Sequence, residues 1–327
     1  MKILLTGATG FLGFRTLEYL VGFNYVKSII ATGRKLDEKR KIVNSKVKYI
    51  LGDLTNEIFV NELTYNVDVI INTAALSSPW GIKKEFEIAN VLTQKYLIQS
   101  ASRNKISRFI YISSPSVYYN GKDRFNVKES DSLPKNFVNH YSKTKREAEI
   151  LLEDSALDYI ILRPRAIIGR GDTVIMPRLI NAYNLGRLKI IGNGKNLVDL
   201  TSVLNVAHAI ERSIVANERA INNIYNITDA EPVLLWKNIN TVIEGIGMKR
   251  IKNKINFGVA NSAAFFLELI SKYITKKEPS LTRYSVGVLS KNFTLDISKA
   301  KKILAYSPII KTDESINEFI KWFKSNE

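Results

Sequence analysis

The sequence contains no cysteine and only two histidines, His140 and His208, among its 327 residues. The first absence excludes disulfide bonds, catalysis by a thiolate and zinc sites built from cysteine. The second argues against a metal centre built from imidazoles, so we predict no bound metal. Both histidines are interpreted as helix-end or surface residues rather than as catalytic groups.

Long apolar runs are also missing. No segment reaches about 18 consecutive apolar residues, the length from which a spanning helix is expected. The apolar run at residues 1–5 is too short for the core of a secretory signal, so a cytoplasmic protein is expected. With 45% hydrophobic and 10% aromatic residues, the composition is that of a globular chain of one large or two moderate domains.

Acidic residues are outnumbered: 31 aspartates and glutamates face 48 lysines and arginines, which gives a net charge of +17. Such a field attracts phosphates, anionic acyl substrates, acidic membrane surfaces or nucleic acid. The basic residues are spread along the whole chain without a nucleic-acid-binding motif, so no nucleic-acid partner is expected.

The strongest motif lies at the start of the chain. Residues 1–5 are predicted to form a strand, TGATGFLG (6–13) follows at once, and apolar residues at helical spacing come next. This order is typical of a dinucleotide-binding unit. Gly7 allows a sharp turn, Gly10 lets a pyrophosphate approach the backbone, and Gly13 lets the helix pack against the strand. A tight turn that binds nothing is the alternative.

Strands and helices alternate through about residue 165. The predicted strands are Tyr25–Ala31, Val47–Leu51, Val67–Asn72, Arg108–Ile112 and Leu157–Leu162, and the helices among them include Glu85–Asn104 and Tyr141–Glu153. The alternation predicts an α/β fold with a doubly wound parallel sheet of the Rossmann type. Ligands of such sheets bind beyond the carboxyl ends of the strands.

The pattern changes after that point. The later predicted elements are a helix at Met176–Gly186, strands at Leu188–Ile191 and Asn223–Ile227, and terminal helices at Ile297–Leu304 and Glu314–Phe323. We predict a dinucleotide-binding domain of residues 1–168, to which 198–230 return. Residues 169–197 and 231–327 then form a smaller, mostly C-terminal substrate-binding lobe.

Tyr141 and Lys145 lie four residues apart, on one face of a predicted helix. A tyrosine with a pKa near 10 transfers protons poorly at neutral pH, and a nearby ammonium together with an oxidised nicotinamide would lower that pKa. Lys145 would also hold the nicotinamide ribose, and Ser114 would hydrogen-bond the substrate oxygen. Tyr-x-x-x-Lys also occurs by chance on helix surfaces, but its position after the glycine turn and a Ser-Ser strand end favours catalysis.

Nine segments together resemble a known family. They are TGATGFLG (6–13), GDL (52–54), NTAALSSPWG (72–81), YISSPSVYY (111–119), YSKTK (141–145), LRPRAIIGRGD (162–172), MPRLI (176–180), LVDLTSVLNVAHA (197–209) and EPSLTRY (278–284). Over essentially its whole length the chain resembles the extended short-chain dehydrogenase/reductases. The nearer branch is the 3β-hydroxysteroid dehydrogenase-like group with the bacterial 2-alkyl-3-oxoalkanoate reductases. The resemblance implies a homodimer formed through the helices near 91–103 and 143–153.

The resemblance also implies roles for particular residues. Ser114, Tyr141 and Lys145 match the catalytic triad. The implied cofactor contacts are Gly7, Gly10, Phe11, Leu12 and Gly13 in the glycine turn, Asp53 and Leu54 at the adenine, Ala74 and Ala75 along the ribose and pyrophosphate, Pro164 and Ala166 at the nicotinamide amide, and Asn90 on a helix. For Asn90, a bond to a neighbouring loop is the alternative.

The end of the second strand indicates which dinucleotide binds. An acid there would accept bonds from a ribose diol and select NAD, whereas Arg34 offers a permanently charged planar group suited to a 2′-phosphate. We therefore expect NADP with help from Lys35, while NAD stays possible. Asp37 is the competing acid, but it lies too far along to reach the strand end.

The substrate is less defined. Nucleotide-sugar epimerases and dehydratases, which the first half also resembles, usually carry an arginine before the aspartate at 199, where this chain has Val198. Trp80 and Tyr118 are candidates for the floor of a lipophilic pocket, with ordinary packing as the alternative.

Two arginines and one apolar segment complete the substrate candidates. Arg165 and Arg178 could bind a substrate carboxylate or form surface ion pairs. Residues 257–274 are apolar with basic flanks, which suits a membrane surface or an entrance for a lipid chain. Packing of a helix over the substrate lobe explains the same pattern and is the interpretation we favour.

These observations predict an NADPH-dependent reductase of a ketone, either a β-keto acid or a steroid-like lipophilic compound. One alternative is a nucleotide-sugar epimerase or dehydratase with tightly bound NAD. The other is a non-catalytic NADP-binding redox sensor.

Overall fold

The structure is a computed structural model that describes residues 1–326. Its strands, in chain order, are β1 (Lys2–Thr6), β2 (Ser28–Thr32), β3 (Val47–Tyr49), β4 (Val69–Asn72), β5 (Arg108–Ile112), β6 (Arg124–Val127), β7 (Tyr159–Pro164), β8 (Ile167–Ile168), β9 (Ile190–Ile191), β10 (Leu197–Val198), β11 (Thr201–Ser202), β12 (Asn223–Ile227), β13 (Val233–Leu234), β14 (Lys254–Ile255) and β15 (Phe293–Leu295).

The α-helices are α1 (Phe11–Leu20), α2 (Glu57–Thr64), α3 (Lys83–Phe86), α4 (Thr93–Arg103), α5 (His140–Glu153), α6 (Met176–Asn184), α7 (Val203–Ile214), α8 (Leu235–Gly245), α9 (Phe257–Ile270), α10 (Arg283–Ser290), α11 (Ser298–Ile303) and α12 (Thr312–Asn326). A π-helical stretch, Glu87–Leu92, joins α3 to α4. The predicted helix at Glu85–Asn104 is therefore present but locally widened.

A seven-stranded parallel sheet in the order β12-β7-β5-β4-β1-β2-β3 forms the centre of the fold. The predicted α/β Rossmann fold is confirmed, and so is the return of Asn223–Ile227 to this sheet beside β7. Chain order reverses at β1, whose neighbours are β2 and β4. A cleft opens at such a reversal, beyond the carboxyl ends of the strands.

The sheet forms because its strands are apolar on both faces. In β1, Ile3 and Leu5 join one apolar cluster, which includes residues of α1 and α7. Leu4 points the other way and joins a second cluster with residues of α2, α4 and α5. Helices on both faces bury these runs, as parallel sheets require.

A second, four-stranded sheet in the order β13-β10-β15-β6 lies outside the central one. Its strands have two to four residues, too few to show a period in the sequence, and so they were not predicted. The division into residues 1–168 with 198–230, and 169–197 with 231–327, stays a prediction.

Candidate active site

The glycine turn has the shape that a diphosphate needs. Gly7 has a φ of +69°, and a Cβ on it would lie 2.7 Å from the backbone nitrogen of Ala74. A Cβ on Gly13 would overlap the backbone of Gly7. Gly10 is exposed, and the first turn of α1 after it carries no acidic residue and no side-chain cap. The free N–H groups of this turn therefore face solvent, ready to bind an anion.

The other predicted cofactor residues border the same cleft. Phe11 and Leu12 begin α1, Asp53 and Leu54 follow β3, Ala74 and Ala75 follow β4, and Pro164 and Ala166 lie at the end of β7. Ala166 has a φ of +43°, an uncommon conformation for a residue with a Cβ. The residues present thus fit a dinucleotide along the carboxyl edge of the sheet.

The side chain of Asn90 is bound to a neighbouring loop and to α5. It is buried, its Oδ1 accepts a hydrogen bond from the N–H of Leu76 at 2.8 Å, and its Nδ2 donates to the carbonyl of Leu76 and to Thr144. The prediction of a cofactor contact from this side chain is therefore wrong, and the alternative of a bond to a neighbouring loop is correct. Its role is to hold the loop after β4 against α5.

The end of β2 lies beside the glycine turn. Gly33 packs so closely on Thr9 that a Cβ would overlap that side chain. Arg34 and Lys35 come next and are exposed. Asp37 caps a short 3₁₀ turn, where its Oδ1 accepts a hydrogen bond from the N–H of Lys39 at 3.1 Å. One oxygen of the competing acid thus caps this turn, whereas the two basic side chains are exposed to solvent.

Helix α5 presents the predicted catalytic pair. Asn139 caps the helix by accepting a hydrogen bond from the N–H of Ser142 at 2.8 Å. Lys145 is 2% exposed, and its Nζ donates to the carbonyl of Ile112 at 2.6 Å and to the Tyr111 hydroxyl at 3.2 Å. The ammonium is thereby fixed at the end of β5, and Ser114 follows two residues after that strand.

Tyr141 converges with two serines. Burial raises the pKa of its hydroxyl, while hydrogen bonding to Ser77 and Ser114 lowers it and the nearby Tyr284 raises it further. Burial also lowers the pKa of Lys145 to about 7. Burial therefore holds the pKa of Tyr141 above its usual value, so the hydroxyl keeps its proton at neutral pH. The expected lowering of this pKa by Lys145 together with an oxidised nicotinamide stays a prediction.

A buried ion pair connects this helix to strand β7. Glu149, four residues after Lys145, is 0% exposed and receives two bonds from Arg163, Nε to Oε1 at 2.7 Å and Nη2 to Oε2 at 2.6 Å. Arg163 also donates to the Tyr118 hydroxyl, which in turn donates to Asn226. Tyr118 is 0% exposed. Its prediction as a pocket floor is wrong, because its hydroxyl belongs to this buried network.

The neighbouring tyrosine faces the cleft instead. Tyr119 lines a cavity together with Ser114, Ser116, Arg165, Ala166, Tyr284 and Phe293. Ser77, Tyr119 and Tyr284 were not predicted as site residues, although each lies in a segment that carries the family resemblance. Their position in those segments was the available signal.

The remaining substrate candidates lie in three different places. Arg165 lies in the cavity, whereas Arg178 forms an exposed ion pair with Glu278 at 3.2 Å. The surface alternative is thus the correct one for Arg178. Trp80 is partly buried in the loop after β4, where its carbonyl accepts a hydrogen bond from Ser78 at 2.8 Å. Its contact with substrate stays a prediction.

Helix α9 packs on the predicted substrate-binding lobe through a small buried face. Ala260 and Ala264 are buried, while Phe266 is 62% and Ile274, in the π-helical turn that follows, 74% exposed. Across residues 1–326, each helix is too short or too polar to cross a bilayer. The same residues hold no cluster of three metal-ligating side chains.

The parallel sheet, the glycine turn and the Tyr-Lys helix together define an NAD(P)-binding oxidoreductase of the extended short-chain dehydrogenase/reductase class. A family model described as the 3-beta hydroxysteroid dehydrogenase/isomerase family matches residues 4–257. The chain therefore belongs to that family, as the resemblance predicted.

Individual relatives agree with this assignment. The chain is 34% identical to 3beta-hydroxysteroid-dehydrogenase/decarboxylase isoform 1 of Arabidopsis thaliana, over 86% of this chain and 68% of the relative. It is 28% identical to the 2-alkyl-3-oxoalkanoate reductase of Shewanella oneidensis, over 95% and 83%. UDP-glucuronic acid 4-epimerase from Bacillus cereus, solved with NAD, shares the fold with a TM-score of 0.77, 23% identity and coverage of 100% and 99%.

Proposed function

We propose that the protein reduces the ketone of a lipophilic 3-oxo compound with NADPH. The observation that carries the proposal is that Tyr141 hydrogen-bonds Ser114 while Lys145 is bound at the end of β5, at the carboxyl edge of the sheet. When bound, the nicotinamide supplies the hydride. Tyr141 holds the proton that the new alkoxide oxygen receives, and Ser114 donates a hydrogen bond to that oxygen as charge develops. The Lys145 ammonium lies beside them.

Three observations favour this function over its alternatives. Val198 stands where an epimerase or dehydratase of sugar nucleotides usually has arginine, and the relatives named above include reductases and dehydrogenases. The complete set of Ser114, Tyr141 and Lys145 argues against a non-catalytic sensor. Consumption of NADPH against 3-oxo acids, steroids and sugar nucleotides tests the proposal. Turnover of a sugar nucleotide with retained NAD and no net NADPH consumption would contradict it.

Arg34 decides the proposed preference for NADPH. Replacing Arg34 by glutamine should raise the KM for NADPH by about 10- to 100-fold, since a charged bond to the 2′-phosphate is lost, and should leave the KM for NADH within about 3-fold. Steady-state kinetics with both cofactors measure the change. Arg187→Gln, at an exposed position in the predicted substrate-binding lobe, is the matched control. An equal effect on both cofactors would remove Arg34 from 2′-phosphate recognition.

We also propose that the exposed face of α9 and the following turn contacts a lipid surface. Phe266, Tyr273 and Ile274 are 62%, 66% and 74% exposed, and the neighbouring Lys272, Lys276 and Lys277 supply positive charge. Apolar side chains flanked by lysines complement an anionic bilayer. The paired substitution Phe266→Ser and Ile274→Ser should abolish sedimentation with phosphatidylserine vesicles.

Ile58→Ser is the matched control for that experiment, because Ile58 is 73% exposed on α2. This variant should sediment with phosphatidylserine vesicles like the parent protein. None of the three proteins should sediment with vesicles of pure phosphatidylcholine. A lipid contact by this face would be contradicted if all three proteins sedimented equally with phosphatidylserine vesicles. It would also be contradicted if the parent protein did not sediment with them.

We propose a homodimer through the helices that the resemblance indicates. A shallow groove runs between α5 and the π-helical stretch before α4, and its apolar lining is Ile88, Val91, Leu92 and Leu151. A second copy would cover this lining. The mass of the protein in sedimentation equilibrium tests the assembly.

A further inference from the structure

The cavity beside Ser114 has a fixed arginine in its wall. The backbone N–H of Arg165 donates to the carbonyl of Ile227 at 3.1 Å, and its own carbonyl accepts from the Thr201 hydroxyl. Its guanidinium carbon lies 5.0 Å from the ring centre of Phe293. The side chain is thus held by its backbone and by an aromatic face, in the same cavity as the predicted catalytic serine.

Three polar atoms of this cavity wall are buried without a hydrogen-bond partner among residues 1–326. They are Nε of Arg165, the hydroxyl of Tyr119 and Oγ of Ser116. A buried polar group left unpaired costs about 1–3 kcal/mol, so native structures hold only a few such groups per hundred residues. Three in a single cavity indicate a ligand that accepts hydrogen bonds.

The charge of the cavity specifies the ligand further. Arg165 forms no ion pair within residues 1–326, and burial lowers its pKa, with Tyr284, Asp199 and Tyr119 opposing. A guanidinium nonetheless keeps its charge at neutral pH. The nearby Asp199 is engaged by the N–H of Leu295, at 2.6 Å from its Oδ2. A cation without a direct ion pair, beside two hydroxyls, favours a carboxylate over a neutral oxygen.

Space for the Tyr119 hydroxyl is made by Gly287 of α10. A Cβ at this position would overlap the hydroxyl oxygen. The Tyr119 ring is also fixed edge-on against Tyr284 and Phe293, at 5.7 and 5.9 Å between ring centres. The hydroxyl is therefore positioned by packing, and no residue among 1–326 accepts its hydrogen bond.

We propose that Arg165, with Tyr119 and Ser116, binds the carboxylate of the substrate, so that the enzyme selects 3-oxo acids over neutral ketones. The inference rests on the proposed reductase function. In a 3-oxo acid one carbon separates the ketone from the carboxyl group. The same substrate can therefore reach Ser114 with one oxygen and Arg165 with the other group, since both residues line one cavity.

Kinetics on an acid and its ester test the proposal. For the parent protein we expect 3-oxooctanoate to have a kcat/KM at least 30-fold above that of its methyl ester. Arg165→Met should lower the value for the acid by about 100-fold and leave the ester within about 3-fold, because only the acid loses a charged partner. Arg178→Met, at the exposed pair with Glu278, is the matched control and should change neither substrate. NADPH affinity, measured by fluorescence titration, should stay the same in all variants.

Tyr119→Phe provides a second variant, since it keeps the ring and removes only the hydroxyl. It should lower kcat/KM for the acid by about 5- to 10-fold, the worth of one hydrogen bond, with no change for the ester. Equal use of acid and ester by the parent protein, equal losses on both in Arg165→Met, or a loss of NADPH affinity there would each overturn the carboxylate subsite. Absence of turnover on every 3-oxo compound, with NADPH bound, would instead overturn the reductase function.

Discussion

Replacing Tyr141 by phenylalanine is expected to lower kcat by about 1,000-fold or more, the range that a positioned proton donor supplies. The hydroxyl is the buried group that holds a proton at neutral pH beside Ser77 and Ser114. Phenylalanine fills the same space, so the affinity for NADPH should change by less than about 3-fold. Stopped-flow oxidation of NADPH measures the first quantity and fluorescence titration the second.

Tyr65→Phe is the matched control, because this tyrosine lies at the end of α2 and is 75% exposed. It should behave like the parent protein in both measurements. Parallel losses of turnover and of NADPH affinity in Tyr141→Phe would remove the proton-donor role. Retained turnover would do so as well.

Local sequence determines the placement of the glycine turn and of the pair on α5. Gly7, Gly10 and Gly13 act within one turn, and their spacing is itself the geometry that the cleft needs. Tyr141 and Lys145 share a face because a helix repeats near every fourth residue. In such cases the neighbours in sequence are the neighbours in space.

Predictions failed where contacts between residues far apart in the sequence determine the surroundings of a side chain. Tyr118 and Tyr119 are adjacent and chemically alike, yet one joins Arg163 in the core and the other lines the cavity. The choice depends on which way a short 3₁₀ turn faces after β5. No periodicity in the sequence reports that direction, because the turn spans only residues 115–118.

The electrostatics of the site depend on burial, which the sequence does not report. The charge of Lys145 is visible in the sequence, but its burial is not, and burial lowers its pKa to about 7. Likewise the cavity around Arg165 needs Tyr284 and Phe293, which lie more than a hundred residues further along. Their convergence depends on the short strands of the second sheet, the least predictable elements of the fold.

Glu149→Gln is expected to lower the free energy of unfolding by about 3–5 kcal/mol, the cost of leaving a buried charge without its partner. The partner is Arg163, which is 2% exposed and has two bonds to the carboxylate. Urea denaturation at pH 7 measures the loss. Glu57→Gln is the matched control, since its ion pair with Arg103 is exposed and should be worth less than about 1 kcal/mol.

The pH dependence of this loss has a definite sign. Burial raises the pKa of Glu149, but the charge of Arg163 and hydrogen bonds from Arg163, Ser113 and Arg146 outweigh it, so the net pKa is lowered. A carboxyl with a lowered pKa stabilises the fold above its unfolded pKa of about 4.3, and this contribution disappears as the pH falls through the folded value. The difference between parent and Glu149→Gln should therefore be constant near neutrality and shrink in acid.

The double variant Glu149→Met with Arg163→Met separates charge from shape. Removing both charges leaves no uncompensated ion, so it should lose less stability than Glu149→Gln alone. A loss in Glu149→Gln no larger than in Glu57→Gln, or a larger loss in the double variant, would contradict a buried pair that acts through its charge. Because attraction to Glu149 raises the pKa of Lys145, the single variant should also shift the pH profile of turnover to lower pH, and this links the buried pair to the candidate catalytic lysine one helical turn away.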